Sequence, residues 1–221
     1  MTALTYVFTF ADGRETVLEL RFDESMRLLQ HEQAPWTQLA FHRCPHCRLP
    51  DDAPHCPFAT GLAPFLAPFD DVESFERVRV VVRSPQRTVA AERAVQHGLA
   101  SLIGLIGATS GCPSLDFFRP MARFHLPFAS EQETLVRAFS MHLLEDWIAG
   151  RAVSLDDLAE DYDAAARVNR AMADRIRAAF RRDAVVNALV SLDAYAQAVP
   201  FVIEEKLAEL AFIFHRDTAS N

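Results

Sequence analysis

Apolar and polar positions alternate in the first third of the chain and recur at helical spacing thereafter, so strands are expected first and helices later. Thr5–Phe10 and Thr16–Phe22 are β-branched and aromatic runs, and Ala11-Asp12-Gly13-Arg14 between them carries an Asp-Gly turn signal. Together they predict a β-hairpin. A shorter strand or turn is expected around Met26–Gln30. Phe58, Leu62, Phe65, Leu66 and Phe69 keep helical spacing, but Gly61, Pro64 and Pro68 limit any helix there to a short or broken one. Val78–Val82 and a weaker run at Thr88-Val89 flank Ser84-Pro85-Gln86 and predict a second hairpin. Its Arg77, Arg79 and Arg83 share a solvated face by the period of two.

Beyond about residue 92 the chain reads as helical. Ala94–Ser110 is the most apolar segment and is expected as the central buried helix, stopped by Gly111 as a C′ glycine. Gly98, Gly104 and Gly107 within it would let neighbours pack closely. Cys112–Ala129 is Phe-rich and irregular. Ser130-Glu131-Gln132-Glu133 is a capping box opening a helix with Leu135, Phe139, Leu143, Leu144 and Trp147 as its apolar positions, before Gly150. Ser154 opens another, striped by Leu158, Tyr162, Ala165, Asn169, Met172, Ile176 and Phe180. Ala184–Val199 and Pro200–Phe214 read as two more, with Pro200 in the first turn of the second. The expected fold is α+β, with N-terminal antiparallel hairpins packed against a C-terminal set of four to six helices. A single domain is expected over residues 1–221. Its β-rich part covers about 1–92, including the cysteine loop 42–57, and its helical part about 93–216.

Charge narrows the function. Twenty-two basic against 30 acidic side chains leave −8, which disfavours tracking along nucleic-acid phosphates. The longest weakly polar stretch, Gly98–Gly111, is too short for a membrane span and carries Ser101, Thr109 and Ser110. No basic region precedes an apolar one at the start, so no secretory signal is read and a cytoplasmic location is expected. Seventeen Phe against 3 Tyr and 2 Trp predict a dry, aromatic core.

In a reducing compartment the 4 cysteines argue for metal or redox chemistry rather than disulfides. Cys44-Pro45-His46-Cys47 can point two sulfurs at one cation from a tight turn, and Cys56 adds a third from the same loop. Cys112 is the preferred fourth ligand, because a loop after the central helix can return to the site and no thiol is then left over. His42, His46 and His55 are the alternative fourth ligands. Zinc is preferred, since Cys-Pro-x-Cys is like the first half of a zinc knuckle, although Arg48 stands where glycine is usual. An iron–sulfur cluster is the alternative: three cysteines precede proline and several Phe are at hand, but the spacing matches neither common ferredoxin run. A thioredoxin-like centre lacks its βαβ context.

The loop cysteines, Ser110-Gly111-Cys112-Pro113 and the stretch Arg119–Phe128 resemble a bacterial family of unknown function, over most of the chain. That resemblance implies a shared fold and cysteine pattern, and no reaction or substrate.

Arg119, Arg123 and His125 follow Cys112 and are candidates to bind an anion or to offset a four-thiolate site, which is −2 even with a divalent metal. The plainer expectation pairs the arginines with Asp116 or Glu131 and packs His125 as a hydrogen-bonded residue. Asn169, Asn187 and Asp193 read as interhelical hydrogen bonds or caps, with a polar pocket as the alternative. No nucleophile–base–acid arrangement is legible: Ser110 lies outside a Gly-x-Ser-x-Gly elbow, and the glycines form no phosphate loop. The expectation is therefore a non-enzymatic metal-binding protein with a structural or regulatory site. Its C-terminal helices, from Ser154 to Phe214, would serve a homodimer or an unknown protein partner; the alternative is iron–sulfur redox or redox sensing.

Overall fold

The computed structural model describes residues 2–45, 47–152, 154–181 and 183–209. Two hairpins, β1 (Thr2–Phe10) with β2 (Glu15–Phe22) and β3 (Arg77–Arg83) with β4 (Thr88–Ala94), join into one antiparallel sheet of order β2-β1-β3-β4. The first turn closes as the Asp-Gly signal requires: Gly13 sits at φ 85°, and Phe10 N donates to Arg14 O at 2.9 Å. Registers Tyr6↔Leu18 and Tyr6↔Val82 fix which side chains share a face. Leu4, Tyr6, Phe8, Phe10, Leu20, Phe22, Val78, Val80 and Val82 are buried on one side. Arg77, Arg79 and Arg83 are exposed on the other. The fold is α+β, an N-terminal antiparallel sheet with helices that lie mostly C-terminal to it.

Helix α2 (Val95–Thr109) covers the apolar face. It comes closer than a side chain would permit: a Cβ on Gly98 would stand 2.7 Å from Phe8 Cε1 and 2.9 Å from Val80 Cγ2. Helix α1 (Pro57–Leu66), with Pro64 inside it, runs into a 3-10 turn at Ala67–Phe69 and buries Phe58, Leu62, Phe65 and Leu66. After α3 (Arg119–Arg123), α4 (Glu131–Ala149) opens on its capping box, with Ser130 Oγ accepting from Glu133 N at 3.2 Å and Ser130 N donating to Glu133 Oε2 at 2.7 Å. Gly150, at φ 67°, closes that helix. Ser154 caps α5 (Leu155–Ala179), which packs on α6 (Ala184–Ala208), and α6 in turn packs on α2. The stripe from Leu158 to Ile176 is buried along α5. No described helix is long and apolar enough to cross a membrane.

Several segments differ from expectation. Strand β4 extends to Ala94, which shifts the β-to-helix boundary from about 92. The stretch Cys112–Ala129 is not wholly irregular but holds a 3-10 turn at Asp116–Phe118 followed by α3. Pro200 does not begin a helix; it lies inside α6. A proline there removes one backbone bond, and buried Ala196 and Val199 anchor the preceding turn in the core. Residues 210–216 of the expected helical part lie outside the described residues. The buried stripe of α4 is Leu135, Ala138, His142 and Asp146, whereas Leu144 and Trp147 face outward. The two polar residues bury because they find partners: His142 Nε2 lies 2.8 Å from Ser154 O, and Arg151 Nε donates to Asp146 at 2.9 Å.

Candidate metal centre

The cysteine loop is pinned at its base by an isolated antiparallel bridge, Gln38↔His55. Leu39 N donates to Pro54 O at 3.0 Å and Cys56 N to Thr37 O at 2.9 Å, so residues 37–39 and 54–56 run together like two short strands. At the far end Cys47 N donates to Cys44 O at 3.2 Å, the tight turn expected of a Cys-x-x-Cys pair. Cys56 is the N-cap of α1. Cys112 arrives from the opposite direction. Gly111, at φ 89°, reverses the chain after α2, and Ser110 Oγ accepts from Cys112 N at 3.2 Å while donating to Gly107 O at 2.9 Å.

Cys44, Cys47, Cys56 and Cys112 line a single cavity of about 90 Å³. The α5 residues Ala164, Val168 and Arg175 also line it. All four cysteines are free thiols; Cys56 and Cys112 are buried, Cys44 and Cys47 part-buried. Among the described residues no group of three or more His, Cys, Asp or Glu side chains is placed to hold a metal ion. The thiols do feel one another. Burial pushes Cys112 up to about 12, and the neighbouring Cys56, Cys44 and Cys47 add to the rise. Cys44 is pushed up to about 11 by burial, then by Cys56 and Cys47. Burial also raises Cys56, against the N–H of Ala59 and the charge of Arg175, which pull it down. Without a cation such thiols stay protonated and are poor nucleophiles at neutral pH, because the thiolate is the reactive form.

Arg175 was not singled out in the sequence. It is 1 % exposed, on a second face of α5 formed by Ala164, Val168 and Ala171 beside the core stripe. The spacing 164, 168, 171, 175 is the signal that would have found it. Its guanidinium donates to Trp36 O at 2.6 Å, Gln38 O at 2.7 Å and Leu39 O at 3.3 Å, clamping the base of the cysteine loop onto α5. Burial lowers its pKa, while Cys56, Cys44 and Cys47 raise it. A guanidinium stays charged in a protein, and a buried one calls for negative charge nearby. Here the cysteine sulfurs are the groups placed to supply it. Arg48 and Arg167 line the same cavity, and Arg43 reaches the Cys47 thiol from the solvent side.

The structure does not bring Arg119, Arg123 and His125 to this cavity. Arg119 Nε donates to Asp116 Oδ1 at 3.0 Å, the pairing expected of a plain structural residue, and Arg27 joins the same carboxylate at 2.6 Å. Arg123 Nη1 donates to Thr2 Oγ1 at 3.2 Å. His125 is pulled away by the sheet: its Nε2 lies 2.6 Å from the hydroxyl of Tyr6, which also meets Ser101 Oγ at 3.1 Å. The alternative ligands fare likewise. His55 Nδ1 lies 2.9 Å from Thr37 Oγ1, His42 is exposed at φ 47° beside another cavity, and His46 lies outside the described residues.

No curated protein and no solved structure matches the chain significantly. A family described as a domain of unknown function (DUF6901) matches residues 4–215, nearly the whole length. With nearly all of its sheet, its described helices and its cysteine cavity inside that span, the chain belongs to the DUF6901 family.

Proposed function

We infer that this chain is a non-enzymatic metal-binding protein holding zinc through Cys44, Cys47, Cys56 and Cys112. One observation carries this: three loop cysteines and a fourth from the end of α2 line a common buried cavity against a buried arginine. Soft thiolates suit zinc, and four of them complete its tetrahedral preference. A divalent ion with four thiolates is −2, and Arg175, Arg48, Arg167 and Arg43 supply the compensating charge, for which Arg119, Arg123 and His125 are the candidates in the sequence. The ion would tie the loop to α1, α2 and α5 and so contribute directly to stability.

The test is elemental analysis and a visible spectrum of protein purified under reducing conditions. One equivalent of zinc in a colourless sample is the expected result. Iron with visible absorption would replace zinc by an iron–sulfur cluster, and a metal-free sample that takes up neither would overturn the site.

Self-association is expected of the helices after Ser154, but the exposed apolar group lies on α4 instead, where Trp147 is 78 % and Ile148 71 % exposed and Leu144 lies beside them. Large apolar side chains grouped on one outward face favour association with a second copy.

A further inference from the structure

A second cavity, of about 390 Å³, opens on the other side of α5 and has no part in the cysteine site. Its volume falls within the roughly 300–1,000 Å³ usual for small-ligand pockets. Ala100, Ile103 and Gly104 of α2, Met121 of α3, and Leu192 and Ala196 of α6 make an apolar wall.

Tyr162, Tyr195 and Arg137 are among the cavity's polar lining residues. Tyr162 is 1 % exposed and, among the described residues, no group stands in hydrogen-bonding geometry to its hydroxyl. The Tyr195 hydroxyl is near enough to act on it but does not stand in hydrogen-bonding geometry to it, and itself donates to Glu131 O at 3.2 Å. An orphaned buried hydroxyl is costly, so its persistence on a cavity wall points to a group from outside that completes it. Arg137 is the neighbouring cation, close enough to Tyr162 for each to affect the other's ionisation. Its Nη2 donates to Met121 O at 3.2 Å and Phe124 O at 2.9 Å. Among the described residues its other N–H groups have no hydrogen-bonding partner, and Arg87 adds positive charge nearby. Glu133, the carboxylate that acts on Arg137, is committed to the Ser130 cap at 2.7 Å and 3.0 Å, and Glu131 also lines the cavity. Arg93 stands over the Phe128 ring at the rim, 5.7 Å from its centre, and Phe128 is held at φ 62°, a strained conformation for an aromatic residue.

We propose that this cavity binds a small carboxylic acid with an apolar body, its carboxylate accepting from the Tyr162 hydroxyl and from Arg137 and its body lying against α2 and α6. A hydroxyl donor and a free guanidinium edge suit a carboxylate better than a neutral head, because charge-assisted bonds are the stronger. The rest of the lining is mostly apolar, with Asn169, Ser101 and Thr134 as further polar side chains, so the head group carries most of the discrimination.

Decanoate is the probe, titrated into the full chain by calorimetry, with decanol as the neutral control. Gly104→Leu fills the cavity at little risk to the fold, since a Cβ there meets only Leu192 Cδ2 at 3.7 Å. Tyr162→Phe keeps the ring and removes the orphaned hydroxyl. The expected results are saturable binding of one decanoate and at least about tenfold weaker binding of decanol. Tyr162→Phe should weaken decanoate about tenfold, and Gly104→Leu should abolish binding while leaving the circular dichroism unchanged. The proposal is overturned if decanoate gives no saturable heat, if Gly104→Leu binds it like the parent, or if decanol matches it.

Discussion

Replacing Arg175 by Met keeps the length and the apolar stem of the side chain and deletes its charge and five donors. Two of the lost hydrogen bonds are short, 2.6 Å to Trp36 O and 2.7 Å to Gln38 O. Charge-assisted bonds of that kind contribute about 1.5–3 kcal/mol each, or about 3–6 kcal/mol together. Part of this is offset because the variant no longer desolvates a guanidinium, leaving a net loss of about 2–4 kcal/mol. That loss belongs to the loop clamp and is the same with or without metal. A second contribution appears only when the cysteines are thiolates. Opposite unit charges about 6–8 Å apart at an effective dielectric near 20 attract by about 2–3 kcal/mol, so metal retention should fall by about 30–100-fold. The assay is urea unfolding of parent and variant, each zinc-loaded and chelator-stripped, with a competitive chelator titration beside it. The variant should lose more stability when loaded than when stripped, and should release metal at lower chelator. Equal losses in both states and an unchanged chelator midpoint would refute the charge coupling and leave Arg175 as a clamp alone.

Cys112→Ser should release metal about as readily as Cys47→Ser, and both should melt earlier than the parent, whereas His42→Ala and His55→Ala should hold metal like the parent; full retention in Cys112→Ser would limit the site to the loop. Gly98→Ala should destabilise by roughly 1–2 kcal/mol in urea, because overpacking against Phe8 and Val80 outweighs the helix propensity gained, and a stabilised variant would contradict so close an approach. Burial, with the charge of Arg137, lowers the pKa of His125 to about 3, so the ring is neutral in the folded state and the unfolded state takes up its proton first. Its contribution is therefore complete above about pH 6.5 and is lost as pH falls toward about 3, so melting temperatures of His125→Phe should decline less over that window than those of the parent; parallel declines would count against it. Light scattering at micromolar concentration should show a homodimer that Trp147→Glu dissociates, and a monomer throughout would remove the self-association surface.

Much of the site was legible because its parts are local. Cys44 and Cys47 meet through a four-residue turn, Cys56 stands at a helix start marked by Pro57, and Gly111 marks the reversal that carries Cys112 back. The charge partners were not legible in this way. Arg119 and Arg123 are near Cys112 in sequence, but Asp116 and Thr2 hold them elsewhere. Arg175 stands outside the one apolar stripe that accounts for α5, and Ala164, Val168 and Ala171 beside it are too small to mark a second buried face by hydrophobicity. The outward turn of Trp147 escaped for a related reason: hydrogen-bonded His142 and Asp146 fill core positions that hydrophobicity alone assigns to apolar residues.

By itself the sequence determined the strands, their Asp-Gly turn, the capped starts of α4 and α5, and the membership of the core stripe on α5. Each depends on interactions spanning a few residues, where period and capping chemistry act directly. Only the tertiary structure decided that α2 approaches the sheet through Gly98, that Pro200 lies within α6, and that the thiols face Arg175. Trp36 and Arg175 are 139 positions apart, and nothing short-range links them. They meet because α5 must bury two faces at once, one against the core and α6 and the other against the cysteine loop, and the loop carbonyls then become the acceptors that let a guanidinium be buried.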